Sequence, residues 1–425
     1  MFSSPNNCCY MLSGILDFDD LLRNFDENVS DNQSSCQMLT STLYTTKSNK
    51  KYNIIQYDKS LLNNDLIQSY GLLRSVIANS AKRVVCFSPP KSLKSDNFIS
   101  INPVSTNIVA EEFIEGTMIN VFWDGSDATY ETGNFEISTR KTVGADVAFF
   151  KNGNGNGHTF KSMFLEAAKL HNLNIETLNP TFCYSFVLQH PENRIVVPIS
   201  VPQLYLVAVY RIVHVNEVVN VFPIDLNEVK MNGNWGTTTV RFPKTYTGWN
   251  TYSELIDQYA SPNTPYYVMG VIIKNVANGT RCKIRNPIYE EVRQLRGNQP
   301  KLQYQYLTLR QQGTVANFLK YYPEMKKQFS SFRDQLHIFT NTLFKNYISC
   351  YVKKERPLIE FAPQYRSYMF DIHMKYINEL KPNKLFVNNR YVIEYINSIP
   401  PARQMYSMNY NLRKYAIDNT ITTNS

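Results

Sequence analysis

The sequence predicts an α+β chain in which a body dominated by antiparallel sheet precedes an all-helical C-terminal domain. Three observations predict it. Between about residues 37 and 298, short alternating or wholly apolar runs recur, bounded by Asn, Gly, Pro and Asp. Few helical stretches interrupt them, which is the pattern of packed sheets rather than of βαβ units. Beyond Pro300 the apolar residues instead recur at three- and four-residue steps.

In chain order, residues 1–37 form a polar extension with a small helix candidate from Ile15 to Leu22, and Asn28–Ser35 reads as a loop. The strands expected in the body are TSTLYTTK, YNIIQY, KRVVCFS, TMINVFW, FEISTR, CYSFVLQ, LYLVAVYRIV and YVMGVIIK. Helices are expected at Leu61–Ser69, Thr159–His171 and Tyr252–Tyr259. After Pro323, Phe329, Phe332, Leu336, Phe339, Leu343 and Tyr347 mark a long amphipathic helix. Further helices follow at Gln364–Leu380, Arg390–Ile399 and Ala402–Ile417. The expected domains are therefore 1–37, 38–298 and 299–425. The run NGNGNG (Asn152–Gly157) lacks the spacing of a phosphate cradle and reads as a loop.

The net charge of +9 is unevenly spread. From Arg281 to Ser425 there are 23 Lys/Arg against 10 Asp/Glu, which leaves the rest of the chain slightly acidic. Such a basic end fits a polyanionic partner, while a solvated basic helical surface is the plainer alternative. The seven cysteines form no C-x-x-C pair, so neither a zinc site nor a disulfide framework is indicated. The N-terminus has no basic segment ahead of its apolar residues. The longest apolar stretch, Ile195–Tyr210, is broken by Pro198, Pro202 and Gln203 and is too short to span a bilayer. A soluble, intracellular protein with no membrane partner is expected.

The most specific segment is PTFCYSFVLQHPENRIVVPI (Pro180–Ile199), a strand running into an Asn-Arg-Ile-Val turn. It resembles the third motif of RNA ligases of the T-even bacteriophage type, within the covalent nucleotidyltransferase superfamily. Other segments resemble that family in its order. YNIIQYDKS and GLLRSVIAN place Arg74 at the family's upstream arginine, KRVVCFSPPKSL resembles the proline loop before motif I, and VMGVIIKNVANGTRCKIRNPIY resembles motifs IV and V. The resemblance covers about residues 38–290. The downstream run YEEVRQLRGNQPKLQYQYLTLR also resembles ligase-like proteins of large eukaryotic DNA viruses. It implies a nucleotidyltransferase domain of ATP-grasp-like antiparallel sheets before the helical domain. If the protein is viral, it also implies a location in the host cytoplasm, a viral factory or the virion.

A ligase of this type uses a lysine amine in Lys-x-Asp-Gly to attack the nucleotide α-phosphate. The corresponding run here is EEFIEGTMINVF, with Phe113 at the nucleophile position, Glu115 in place of the Asp, and Gly116 at the turn. The motif III and motif IV glutamates fall on Val187 and Met269, and apolar side chains bind neither metal nor sugar. The resemblance leaves Arg74, Arg140, Arg194, Lys283 and Arg285 as the phosphate-binding candidates. Lys283 and Arg285 share one face of an alternating strand, whereas Arg194 has a structural alternative in its turn. His190 before Pro191 reads as a turn histidine, and Asp124 and Asp127 read as hairpin residues rather than metal ligands. No metal site is predicted.

Three readings follow. The first is a catalytically degenerate RNA-ligase-like protein that binds RNA or another nucleic acid without adenylylating itself, with no cofactor assigned. The second is an active RNA ligase using ATP and Mg²⁺ in RNA repair, with Lys91, Lys94, Lys141 or Lys283 as a displaced nucleophile. The third is a virion or scaffold protein that reuses the fold and docks other proteins through its helical domain.

Overall fold

A computed structural model describes residues 8–24, 38–125, 133–148, 158–231, 234–299 and 301–413. The predicted loops at Asn28–Ser35 and Asn152–Gly157, together with Asp127, lie outside the described residues. The chain divides into two compact units, residues 1–293 and 294–425.

The first unit is built on three antiparallel sheets. The largest orders its strands Tyr10–Met11, Val218–Ile224, Gln203–Val215, Phe182–Gln189, Thr117–Asp124 and Asn134–Ser138. The second orders Thr245–Tyr246, Ile108–Glu112, Gly270–Asn275 and Arg281–Arg285, and the third Leu39–Thr45, Lys51–Tyr57, Val76–Asn79 and Val84–Phe87. Antiparallel pairing needs only short connections, which is why a sequence of short runs and turn residues can build it. Residues expected as a polar extension contribute an edge strand, Tyr10–Met11, and the helix Phe18–Arg23, whose Phe18 is fully buried.

One expected helix does not form. Leu61–Ser69 is a series of turns ending in the short 3-10 segment Tyr70–Leu72. The segment holds two consecutive asparagines, Asn63 and Asn64, and the Asn63 side chain accepts from the Leu66 N–H at 3.1 Å, offering the backbone a local alternative to a helix. By contrast, Thr159 caps the helix Phe160–Leu170 by accepting from Ser162 N, and Thr251 caps Tyr252–Tyr259 in the same way through Glu254 N.

The second sheet has two contrasting faces. Cys282, Val271, Ile273, Ile108 and Ala110 pack with Phe98 and Leu255 into one core. The alternate residues Arg281, Lys283 and Arg285 project from the other face. Burying the apolar face therefore fixes where the cations point, because a slip of one residue would exchange the two sets.

In the second unit, the helix Lys326–Tyr347 buries Phe329, Leu336, Phe339, Leu343 and Tyr347 of the expected stripe, and Phe332 is half-buried. Phe318 stacks on Phe329 with centroids 5.0 Å apart. Phe339 packs on Tyr365 and Tyr368 of the helix Pro363–Lys375. The helices Leu302–Gln311, Val315–Tyr321, Asn389–Ser398 and Pro401–Met408 complete it. Among the described residues, no helix is long and apolar enough to cross a membrane.

Asp124, expected in a hairpin, ends the strand Thr117–Asp124 opposite Asn134 of the next strand, and its side chain is buried. It accepts from the Tyr52 hydroxyl at 2.7 Å and from Asn79 Nδ2 at 2.8 Å. Asp124→Ala removes the acceptor shared by two buried donors. Urea denaturation should show a loss of about 1–3 kcal/mol for each donor left unpaired, whereas Asp124→Asn should cost less.

Candidate phosphate-binding site

The site begins in the four residues that join the strand Ile108–Glu112 to Thr117–Asp124. Gly116 has φ +150° and passes so close to the next strand that a Cβ would run into the Leu188 carbonyl and the Val187 side chain. Only glycine fits there. Glu115 is buried, and its carboxylate accepts from Val196 N at 3.0 and 3.1 Å and from Val197 N at 3.1 and 3.2 Å. The Tyr289 hydroxyl also bonds it. Burial raises the Glu115 pKa, against the lowering effect of these bonds and of Arg194. Glu115 is thus a clasp between its own turn and the loop that follows the strand Phe182–Gln189.

That clasp holds Phe113 in place. Its ring is 8% exposed, with Lys283 Nζ 4.8 Å and the Arg285 guanidinium carbon 5.9 Å from its centroid. The aromatic face thus supplies a diffuse negative partner to the Arg285 guanidinium, and to the Lys283 amine when it is protonated. Arg74 is half-buried on the turn after Tyr70–Leu72. Arg140 holds that turn, donating from Nε to the Arg74 carbonyl at 3.3 Å and lying over the Tyr57 ring at 5.6 Å. Lys91 is anchored through its N–H to the Gly71 carbonyl at 2.8 Å.

The cations act on one another. Lys283 is pushed down to about 6, first by burial and then by the charges of Arg281, Arg74, Arg285 and Lys91. Arg74 is lowered to about 10, again by burial first and then by Arg281. Lys91 is lowered by burial and by Arg74. Among the described residues, no carboxylate lies within ion-pair distance of Lys283. Arg285 pairs with Glu290 at 3.1 Å, and Glu111 is taken by Lys274 at 2.5 Å.

Arg74, Lys283 and Arg285 thus come together with Lys91, while Arg140 supports the cluster from behind. Arg194 turns back on its own loop, donating from Nε and Nη2 to the Val196 carbonyl at 3.2 and 3.0 Å. Lys94 and Lys141 are exposed. His190 is a turn residue whose Nδ1 accepts from Glu192 N at 3.2 Å. Arg281 was missed in the sequence, although it lies two residues before Lys283 on the same face. It is 9% exposed and donates from Nε to Ser92 Oγ at 3.3 Å.

Val187 is buried on its strand between Met118 and Tyr205. Met269 lines a cavity of about 480 Å³ together with Phe113, Gln189, Tyr205 and Arg241. Among the described residues, no group of three or more His, Cys, Asp or Glu could hold a metal ion. Guanidinium and ammonium donors of this kind suit the oxygens of a phosphate.

Lys283 carries the first measurable consequence. Its folded pKa lies below its unfolded value of 10.5. The stability it contributes is therefore present above that value and lost as pH falls through about 6. Lys283→Met should flatten that part of the stability–pH curve. In an NMR titration of ¹³C-lysine-labelled protein, one amine should titrate near pH 6 and be missing from Lys283→Met.

No family model matches the chain. It is 25% identical over 297 residues to an RNA ligase of Rhodothermus phage RM378, a match covering 62% of this chain and 64% of the phage protein. An archaeal ATP-dependent RNA ligase is similar at 11% identity and a TM-score of 0.37, covering 69% of this chain and 72% of that one. A Naegleria gruberi RNA ligase mutant solved with ATP and Mn is 12% identical at a TM-score of 0.31, covering 60% and 98%. At TM-scores below 0.5 these structural likenesses carry no argument about the site. The chain is RNA-ligase-like, by a sequence relationship to the phage ligase that spans less than two thirds of that protein.

Proposed function

We propose that this protein binds RNA, or another nucleic acid, through a cationic pocket that has lost self-adenylylation. The observation that carries this is the pairing of Phe113 with Lys283 and Arg285. The position from which an amine would attack holds a hydrocarbon ring, while the surrounding cations remain and lack carboxylate partners at Val187 and Met269. Such a pocket attracts phosphate oxygens and has no group at position 113 that could form a bond to phosphorus.

One observation favours a second reading. Lys283 lies over the ring that replaces the nucleophile, and a pKa near 6 leaves its amine neutral at pH 7. A neutral amine there could attack the α-phosphorus of ATP, forming a P–N bond as pyrophosphate leaves and the amine loses a proton. Catalysis by a relocated group demands in-line geometry, and a misplacement of about 1 Å costs on the order of 100-fold.

Incubation of the full chain with α-labelled ATP and Mg²⁺ or Mn²⁺, followed by denaturation, separates the two. No retained label is expected. An acid-labile adduct that disappears in Lys283→Met would replace the first reading with the second. Pyrophosphate binding followed by calorimetry should weaken about 10-fold or more in Lys283→Ala/Arg285→Ala, the loss of one charge-assisted bond or more.

A further inference from the structure

The two longest described helices of the C-terminal unit end in the same way. Lys326–Tyr347 runs into the π-helical turn Ile348–Val352, and Pro363–Lys375 runs into a second, Tyr376–Leu380. Turns of this width are rare and often mark functional positions. The two lie side by side, because the His373 ring stacks on Tyr351 with centroids 3.8 Å apart and planes at 14°. Tyr347 and Tyr376 flank the same ring at 6.2 and 6.0 Å. Burial lowers the His373 pKa, so the stack stays neutral near pH 7.

Each turn closes by the same bond, Lys353 N–H to the Ile348 carbonyl and Lys381 N–H to the Tyr376 carbonyl, both at 2.8 Å. The chain then reverses through a lysine in the left-handed region, Lys354 at φ 56° and Lys384 at φ 55°. The reversals leave Lys353, Lys354 and Arg356 exposed on one loop and Lys381 and Lys384 exposed on the other.

Between Lys345 and Arg390 there are nine Lys/Arg against four Asp/Glu. Two of those acids are already engaged, Glu355 with Lys353 at 3.5 Å and Asp371 with Arg403 at 3.2 Å. Beside Lys384 stand Leu385 and Phe386, 55% and 76% exposed. The excess positive charge selects a polyanion over an apolar protein face. The exposed ring selects a polyanion with free base faces, since every unpaired base can stack on an aromatic side chain and a duplex hides its faces.

We propose that this end of the C-terminal unit is a binding surface for single-stranded nucleic acid, with phosphates held by Lys353, Lys354, Lys381 and Lys384 and a base stacked on Phe386. The proposal rests on the reading that nucleic acid is the partner and adds a surface separate in sequence from the Phe113 pocket.

The test measures binding of a fluorescent single-stranded oligouridine RNA to the full chain by anisotropy. Engagement of four phosphates by the loops predicts that they contribute about −3 to the log–log salt slope, from roughly −0.7 per phosphate. Lys353→Glu/Lys384→Glu should weaken binding more than about 10-fold and flatten that slope. Phe386→Ala should weaken it by about 10-fold while leaving a duplex of equal length unaffected. Because all three side chains are exposed, melting temperatures should stay at the wild-type value. Lys283→Met, which alters the pocket alone, should leave the slope contributed by the loops intact.

Wild-type affinity in both loop variants, with tight RNA binding by the parent, would overturn this surface and leave the pocket reading standing. Failure of the parent chain to bind RNA at low salt would remove the nucleic-acid reading itself. Capture of phosphatidylserine vesicles with no RNA binding would overturn the proposal in favour of a membrane surface.

Discussion

The candidate site depends on holding like charges together where water is scarce. Lys283 is surrounded by Arg281, Arg74, Arg285 and Lys91, and burial already disfavours its charged form. A carboxylate would be the ordinary remedy, and Glu290 serves Arg285 in that way. For Lys283 the remedy is different. The Phe113 ring lies against its amine, and the amine gives up its proton more readily. Neither device brings a carboxylate to Lys283, and the neighbouring arginines keep the pocket positive, which is the condition for attracting an anion.

That arrangement survives because the backbone around it is over-determined. Glu115 draws two consecutive N–H groups, Val196 and Val197, onto one carboxylate. Gly116 lets the chain pass within contact of Leu188. These residues hold the turn's shape whatever side chain stands at position 113. The shape of this turn and the chemistry of the residue at position 113 are thus separable, since one is set by main-chain bonds and the other by a single side chain.

The helical unit solves a different problem. Its core is aromatic, with Phe318, Phe329, Phe339, Tyr365 and Tyr368 in ring contact. Rings of that size bury much area per residue and let a small unit hold together. The same economy leaves lysine-rich reversals at the ends of its helices, where the last backbone carbonyls already favour positive charge.

Much of this was legible in order and type. The alternation in CYSFVLQ and LYLVAVYRIV, the caps at Thr159 and Thr251, and the stripe from Phe329 to Tyr347 each specify their element through local periodicity. The failed helix at Leu61–Ser69 shows the limit, because propensity cannot weigh an asparagine side chain that bonds the backbone first. In the site, the sequence by itself determined which atoms are present: a ring at 113, no carboxylate at 187 or 269, and cations at alternate positions of one strand. Only the tertiary structure decided what those atoms do. It sent Arg194 back to its own carbonyl, recruited the unremarked Arg281, and buried Asp124 between Tyr52 and Asn79. Identity is fixed residue by residue along the chain, whereas charge, solvation and hydrogen bonding depend on neighbours that only folding brings within a few ångströms.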